Sequence, residues 1–246
     1  MSPDYKTVVN VGKLKFLSEL KKGTGTLIAN DFLKKMVEEF GKSAAKFIDF
    51  NGYPAFAHSE RQLHSILAPA FSKMTDTFLM EVPVRRDWSK HEEQGENKVG
   101  WIDYCCEYRN VAFLIELKHD FISYNSGKIT SKLKSKWIEA DKQIKVVEKE
   151  AEKRSEWSKG VFRVSLTVAP YIVKADEENK IVWDDLHKLI REELNPKPNW
   201  IGFWKLHSGL DYEFGTNDNR LPIVAFIANV SEVTVKAKKR KSTDLE

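Results

Sequence analysis

The sequence predicts an α/β fold in which a mixed β-sheet is flanked by helices. Runs rich in aromatic and β-branched residues alternate with segments of helical periodicity, in the order helix, three strands, helix, strand, helix, strands. Only Arg109 and Asn110 separate two of the runs, which predicts a tight antiparallel hairpin. The chain has 246 residues, of which 41% are hydrophobic, so it can bury one substantial core.

The first half of the chain supplies two helices and the first strand. Residues 30–47 have helical periodicity and follow a shorter helical or extended piece. Ser59 is a suitable N-cap for the next helix, which Pro69 is expected to kink or divide. Residues 78–86 form the first strand, and Pro83 favours a sheet edge or a bulge there.

The second half alternates helices and strands. After a polar linker, Thr130 or Ser131 caps a long helix that reaches about residue 154, with apolar residues along one stripe. Residues 161–173 are a strong strand signal, and a helix over about 183–194 follows. The last predicted strands are residues 200–206 and 221–230.

The predicted hairpin of residues 99–108 and 111–119 brings charged residues together. If Arg109 and Asn110 form a two-residue loop, Asp103 lies directly opposite Glu116. Because side chains alternate along a strand, Lys118 shares the face of Glu116 and lies opposite Trp101. The other face is apolar, with the following residues: Ile102, Tyr104, Cys106, Phe113, Ile115 and Leu117.

Two facing carboxylates predict a metal site. Like charges opposite each other on a sheet repel unless a cation lies between them. Mg²⁺ suits this position because it binds through one or two carboxylates and keeps waters and phosphate oxygens as its other ligands. Lys118 would orient or deprotonate a water, or hold a phosphate. The alternative is a surface hairpin with an ordinary, exposed cross-strand Glu–Lys ion pair.

Glu60 is a further candidate ligand. Its phase relative to Leu63 and Leu67 points it along the apolar face of its helix, toward the sheet. A carboxylate directed inward needs a partner or a metal. The alternative is that Glu60 only interacts with the helix dipole as a first-turn acid.

These motifs resemble the PD-(D/E)XK superfamily of nucleases, over about residues 56–175. Asp103 matches the motif's aspartate, although Ile102 replaces its proline, and Glu116 with Lys118 matches the second half of the motif. The resemblance implies a restriction-endonuclease-like core of a helix, a three-strand meander, a helix and a strand. It also implies that a glutamate from the first helix, here Glu60, joins the site.

The resemblance further implies a metal-dependent endonuclease that hydrolyses phosphodiester bonds through a metal-activated water, with DNA as the first expected substrate. Mg²⁺ is the expected cofactor, with Mn²⁺ able to substitute. Asp103 and Glu116 would hold the metal, with Glu60 and the Leu117 carbonyl as further ligands, and Lys118 would complete the catalytic set. Weaker nucleic-acid-binding candidates are Arg85, Arg86, Lys136 and Gln143.

A different class of function stays open. The chain could be a catalytically silent or ligand-activated nucleic-acid-binding module on the same fold. For a ligand-activated effector, Trp183, Trp200 and Trp204 would line a pocket, although such residues are more often core. A homodimer would let two sites cut both strands of a duplex, but the sequence contains no interface signature.

The composition of the chain indicates the cellular compartment in which the protein is expected. Cys105 and Cys106 are adjacent and point to opposite faces of a strand, which excludes a disulfide between them and fits a reducing compartment. The sequence has no apolar run long enough for a membrane span and no signal peptide, so a cytoplasmic protein without a membrane partner is expected. No Walker loop or dinucleotide fingerprint occurs.

We expect three regions along the chain. Residues 1–55 would be an N-terminal helical extension packed on the core, and residues 56–235 the nuclease-like core with C-terminal additions. Residues 236–246 would be a basic, disordered tail in a chain of net charge +4. This tail could add non-specific phosphate affinity, or equally be a solubilising end or, in a nucleated cell, a localisation signal.

Overall fold

A computed structural model describes residues 4–20, 25–86, 98–124, 126–147, 153–180, 182–210, 212–215 and 218–233. The tail from residue 236 lies outside these ranges. The strands are β1 Asp4–Val8, β2 Gly12–Ser18, β3 Thr77–Arg86, β4 Lys98–Tyr108, β5 Val111–His119, β6 Ile122–Ser123, β7 Gly160–Lys174, β8 Trp200–Leu206, β9 Glu213–Phe214 and β10 Asn219–Glu232. The longer helices are α1 Thr26–Asn51, α2 Glu60–Met74, α3 Ser131–Lys145 and α4 Trp183–Glu193.

The strands form one mixed sheet, as predicted. Its order is β1-β2-β8-β10-β7-β5-β4-β3, with β6 beside β7 and β9 beside β10. The β5–β7 and β6–β7 pairs are parallel, and the other pairs are antiparallel. The crossover from β5 to β7 runs through α3, because a parallel connection must return the chain to the same end of the sheet.

Helices cover both faces of the sheet, and alternation along the strands divides the core between them. In β10, Val224 and Phe226 pack in the cluster that includes α1 and α2 residues, whereas Ile223 and Ala225 pack with α3 and α4. A third cluster, around Leu114, lies below the C-terminal end of α3. Among the described residues, no helix is long and apolar enough to span a membrane.

The N-terminal region starts with two strands, which is the extended alternative predicted for the piece before its helix. Before α1, residues 4–18 form the β1–β2 hairpin, which extends the sheet by pairing with β8. Leu14 and Phe16 enter the core on one face, while Lys15 is fully buried on the other and donates to Asp184 at 2.6 Å. The helix itself spans Thr26–Asn51, which is longer than the predicted residues 30–47.

Helix α2 passes through Pro69 without being divided, so of the two predicted outcomes, a kink or a division, the division is excluded. Leu63, Leu67 and Phe71 are fully buried, and this packing holds the helix together although proline removes a backbone hydrogen bond. As Pro83 indicated, β3 is an edge strand.

Helix α3 begins as predicted but ends early. The Thr130 side chain accepts a hydrogen bond from the Leu133 N–H at 3.1 Å. The helix ends at Lys145 rather than near residue 154, because Val147 turns into the core and Arg163 donates to the Lys145 carbonyl at 3.1 Å. The polar linker before this helix contains the short strand β6.

Candidate metal and phosphate site

The β4–β5 hairpin has the predicted turn and register. Arg109 and Asn110 have φ angles of 52° and 62°, as a type I′ turn requires at both central positions. Tyr108 pairs with Val111, and the same register continues to Tyr104 with Ile115.

Within the described part of the hairpin, the backbone ladder between the two strands ends at Tyr104, before the predicted pairs of the site. The described pairing stops one step before Asp103 and Glu116, so Lys118 has no ladder partner in Trp101. Instead, the Asp103 carboxylate accepts the Leu117 N–H at 2.6 Å. The Asp103 carboxylate thus takes the place of a backbone carbonyl as the acceptor for the Leu117 N–H, and it links β4 to β5.

Ile102 also departs from the predicted face. It packs with Val82 in the cluster below α3, whereas Tyr104 packs with the α2 residues on the opposite face. Opposite Asp103 on β3, Glu81 has a φ of 50°, and the two residues do not form a ladder pair. This local irregularity in both strands explains why simple alternation fails between Ile102 and Tyr104.

Glu116 and Lys118 lie on the face that α3 covers. Their neighbour Leu117 faces the opposite cluster, as alternation requires. Glu116 is 3% exposed and Lys118 is 9% exposed, and the Lys118 ammonium donates to Glu116 Oε1 at 3.1 Å. This is a buried ion pair rather than the exposed pair of the alternative interpretation.

Glu60 reaches the same end of β5 from the first turn of α2. Its Oε2 accepts the His119 N–H at 3.0 Å, so the carboxylate points inward to the sheet, as its helical phase predicted. The helix start is stabilised separately, because the Ser59 N–H donates to the Gln62 side chain at 3.1 Å.

The charges in this cluster act on one another. Burial raises the pKa of Glu60 and the charge of Asp103 raises it further, although Lys118 and the His119 N–H oppose them. Burial alone would lower the pKa of Lys118, but Glu116, Glu60 and Asp103 together raise it above its ordinary value. The three carboxylates therefore share one electrostatic environment, in which Lys118 is the counter-charge.

A cleft of about 400 Å³ opens beside this cluster. Glu60 and Lys118 line it from α2 and β5, and Asp120 lines it just after β5. Lys132 and Lys136 line it from α3, and Lys136 also donates to the His119 carbonyl at 2.6 Å. The cleft thus combines carboxylates that suit a cation with ammonium groups that suit a phosphate.

A row of buried polar residues continues from the site across the sheet. The parallel register places Ser165 beside Glu116 and Thr167 beside Lys118, and both β7 residues are at most 1% exposed. Further along, Asn229 donates to Asp141 of α3 at 2.8 Å. This row separates the two apolar clusters on the α3 face, so α3 packs over a polar layer next to the site.

The weaker sequence candidates have mixed outcomes. Lys136 lines the cleft. The side chain of Gln143 donates a hydrogen bond at 3.0 Å to Glu139, and Glu139 lines the cleft. Arg85 and Arg86 end strand β3, and their side chains lie outside the described set.

Sequence reasoning missed several residues of the cleft. Lys132 was considered only as one of the lysines along α3, and the following were not predicted: His58, Asp120, Phe121 and Glu139. Lysines and glutamates are spread along the whole of α3, so the sequence did not indicate which turn of the helix lines the cleft. Ser165 and Thr167, however, alternate with apolar residues in β7, and this signal could have placed a polar row on one face.

The cluster contains the type of oxygen donor that a hard divalent cation prefers, but its carboxylates are not arranged as a formed metal site within the described residues. Asp103, Glu116 and Glu60 offer carboxylate oxygens, and Lys118 supplies the compensating charge in the metal-free chain. Within the described ranges, no group of three or more histidine, cysteine, aspartate or glutamate side chains is arranged to hold an ion. Mg²⁺ commonly uses one or two carboxylates, with waters completing its shell.

The other residues with potential chemical roles are buried in the core of the fold. His119 is buried, its Nε2–H donates to the Phe56 carbonyl at 3.0 Å, and burial lowers its pKa to about 4. Trp200 and Trp204 are core residues, which are at most 1% exposed. Cys105 and Cys106 are both buried as free thiols in opposite clusters.

Comparisons with protein-family models, with curated proteins and with solved structures find no match to this chain.

Proposed function

We propose that the chain is a Mg²⁺-dependent nuclease that hydrolyses phosphodiester bonds, with DNA as the first substrate to test and Mn²⁺ as a substitute metal. The observation that carries the proposal is the convergence of Asp103, Glu116, Glu60 and Lys118 beside a cleft with two further lysines. Without a bound cation the carboxylates repel one another, so the cluster favours a metal ion. The lysine ammonium groups provide the positive charge that binds a phosphate.

Asp103 and Glu116 would hold the metal, with Glu60 and the Leu117 carbonyl as further ligands. Asp103 is fixed by the Leu117 N–H, and Glu60 is fixed by the His119 N–H, so both carboxylates are oriented before any ligand binds. When bound, the metal would neutralise charge on the phosphate and lower the pKa of a coordinated water.

Lys118 would act mainly as a positive charge. Its raised pKa keeps the ammonium protonated in the metal-free chain, so it can donate to a phosphate oxygen or orient a water. Lys136 and Lys132, on the other wall of the cleft, would hold the flanking backbone phosphates.

The order of elements supports a restriction-endonuclease-like core as part of this proposal. Helix α2, the β3–β4–β5 meander, helix α3 and strand β7 follow one another along the chain, and β7 lies beside β5 in the sheet. This order along the chain is the one that the resemblance to PD-(D/E)XK nucleases implies, with the acids on the second and third strands.

The test is cleavage of supercoiled plasmid and of labelled single-stranded DNA and RNA in Mg²⁺, Mn²⁺ or EDTA. We expect metal-dependent cutting by the wild type, lost in Glu116→Gln together with the metal-induced rise in melting temperature. Glu107→Gln is the matched control, because Glu107 lies on the same hairpin but pairs with Ala112 at its other end.

Two results would argue against the proposal. If no metal changes the melting temperature of the wild type, the carboxylates are not a metal site. If the metal binds but no substrate is cut, the chain is a silent or ligand-activated module with an intact metal site.

A further inference from the structure

Asp120 occupies a distinctive position in the cleft. It follows β5 directly, lines the cleft and is only 7% exposed. Its Oδ1 accepts the Phe121 N–H at 2.9 Å and lies 3.7 Å from the Lys132 ammonium, which is beyond hydrogen-bonding distance. Its Oδ2 has no hydrogen-bond partner within the described part of the chain.

A buried carboxylate oxygen without a donor is costly, since burial removes its water without replacing the hydrogen bond. The position is also unfavourable for simple anion binding, because a negative charge in a cleft lined by Lys132 and Lys136 weakens the attraction for phosphate. Both costs are offset if a bound molecule brings a hydrogen-bond donor to Asp120.

We propose that Asp120 accepts a hydrogen bond from a hydroxyl or amino group of the nucleoside next to the phosphate held at Lys118. This inference rests on the proposed function and adds a residue that selects the substrate. The χ2 torsion of aspartate is soft, so the carboxylate can turn an oxygen to the cleft and keep the Phe121 bond with the other.

The spacing along the chain suits one nucleotide. Lys118 and Asp120 are two residues apart at the end of β5 and both line the cleft. Two residues of extended chain span about 7 Å, which is on the scale of the distance from a phosphate to the sugar and base of one nucleotide. A phosphate at Lys118 would therefore bring its own sugar or base within reach of Asp120.

The test is the affinity of short fluorescent single-stranded oligonucleotides, measured by anisotropy in EDTA so that metal binding does not contribute. Asp120→Asn is expected to weaken binding about 10- to 100-fold, since the amide offers one acceptor instead of two. Electrostatics alone predicts the opposite sign, because this substitution removes a negative charge. Asp120→Ser, which keeps a smaller acceptor, provides a second measurement if Asp120→Asn folds poorly.

Glu139→Gln is the matched control, because Glu139 also lines the cleft but already accepts a hydrogen bond from Gln143. It is expected to leave binding unchanged or tighten it. A loss confined to RNA would assign the donor as the 2′-hydroxyl, whereas a loss that follows base identity would assign it as a base amino group.

Tighter or unchanged binding by both Asp120 variants would overturn the role of Asp120 and leave the proposed nuclease intact. If the wild type binds no oligonucleotide, both the nucleic-acid substrate and this inference are wrong.

Discussion

At the scale of the residue, the position of Lys118 explains how a cluster of acids persists without a metal. Its ammonium lies 3.1 Å from Glu116, and the charges of Glu60 and Asp103 also act on it. Removing one partner of a buried pair leaves the other uncompensated, which costs more than the pair itself contributes. Lys118 and a divalent cation therefore neutralise the same carboxylates.

Replacing Lys118 with methionine is expected to separate metal binding from catalysis. We expect Lys118→Met to bind Mg²⁺ but to cut about 10²–10⁴-fold more slowly, since a positioned donor is lost. The metal-free variant should melt lower than the wild type, and Mg²⁺ should raise its melting temperature by more. Calorimetry with and without EDTA measures both effects.

Lys132→Met is the control for this experiment, because Lys132 lines the same cleft with a side chain that is 72% exposed. It should leave the metal-induced melting shift as in the wild type. Equal shifts in Lys118→Met and the wild type would mean that lysine and metal do not share the carboxylates.

The charged residues of the candidate site could be named from the hairpin register and the helical phase of Glu60, but the contacts of Asp103 could not be predicted. A two-residue turn fixes the register as far as Tyr104, and that part was confirmed. At Asp103 a short polar side chain competes with the backbone for the Leu117 N–H, and sequence periodicity carries no information on which acceptor is used.

At the scale of the element, α1 is tied to the N-terminal hairpin by charges. Glu38 of α1 accepts hydrogen bonds from Lys42 at 2.7 Å and from Lys6 of β1 at 2.6 Å. Burial of Glu38 would raise its pKa, but these two lysines and Lys35 outweigh burial and lower the pKa to about 2. Its negative charge is thus stabilised by folding.

This shift predicts the pH dependence of one substitution. Because folding lowers the Glu38 pKa from 4.5, its contribution is present above pH 4.5 and is lost as the pH falls toward about 2. Glu38→Gln should therefore lower the free energy of unfolding by about 1–3 kcal/mol at pH 7, and by progressively less in acid. Urea unfolding across this pH range measures the difference.

Asp49→Asn is the control on the same helix, since Asp49 is exposed to solvent. It should change stability little at any pH. A Glu38→Gln deficit that stays constant down to pH 2 would show that lost packing, rather than lost charge, causes it.

Helices and strands could be predicted where a local sequence pattern determines them. Strand β5 and strand β8 have the predicted bounds, because their runs of β-branched and aromatic residues end at clear turn signals. Strand β1 was missed because it is short and mostly exposed, so its sequence has no apolar alternation. It forms because β2, which β8 holds on its other side, supplies an edge for it.

At the scale of the whole molecule, the site lies near one side of a wide sheet. Strands β5, β7 and β10 are interior and carry core residues on both faces, whereas β1 and β3 are edges. Opening an interior strand breaks two ladders and two layers of packing, so it requires more free energy than fraying an edge.

We therefore expect a gradient of amide protection. Hydrogen exchange measured by mass spectrometry should be slowest in β7 and β10, intermediate in β4 and fastest in β1. Uniform protection across the sheet would mean that it opens only by global unfolding. Faster exchange in β10 than in β1 would contradict the predicted order.

The pairing of β2 with β8 also has a consequence for synthesis on the ribosome. Gly12 pairs with Leu206, so at roughly 5–20 residues per second the partner of β2 emerges on the order of 10–40 s after it. During that interval Leu14 and Phe16 lie on an uncovered strand edge, where Lys13 and Lys15 are expected to discourage aggregation with other nascent chains. Asp184 is translated shortly before β8, so the counter-ion of Lys15 emerges just before the strand that buries it.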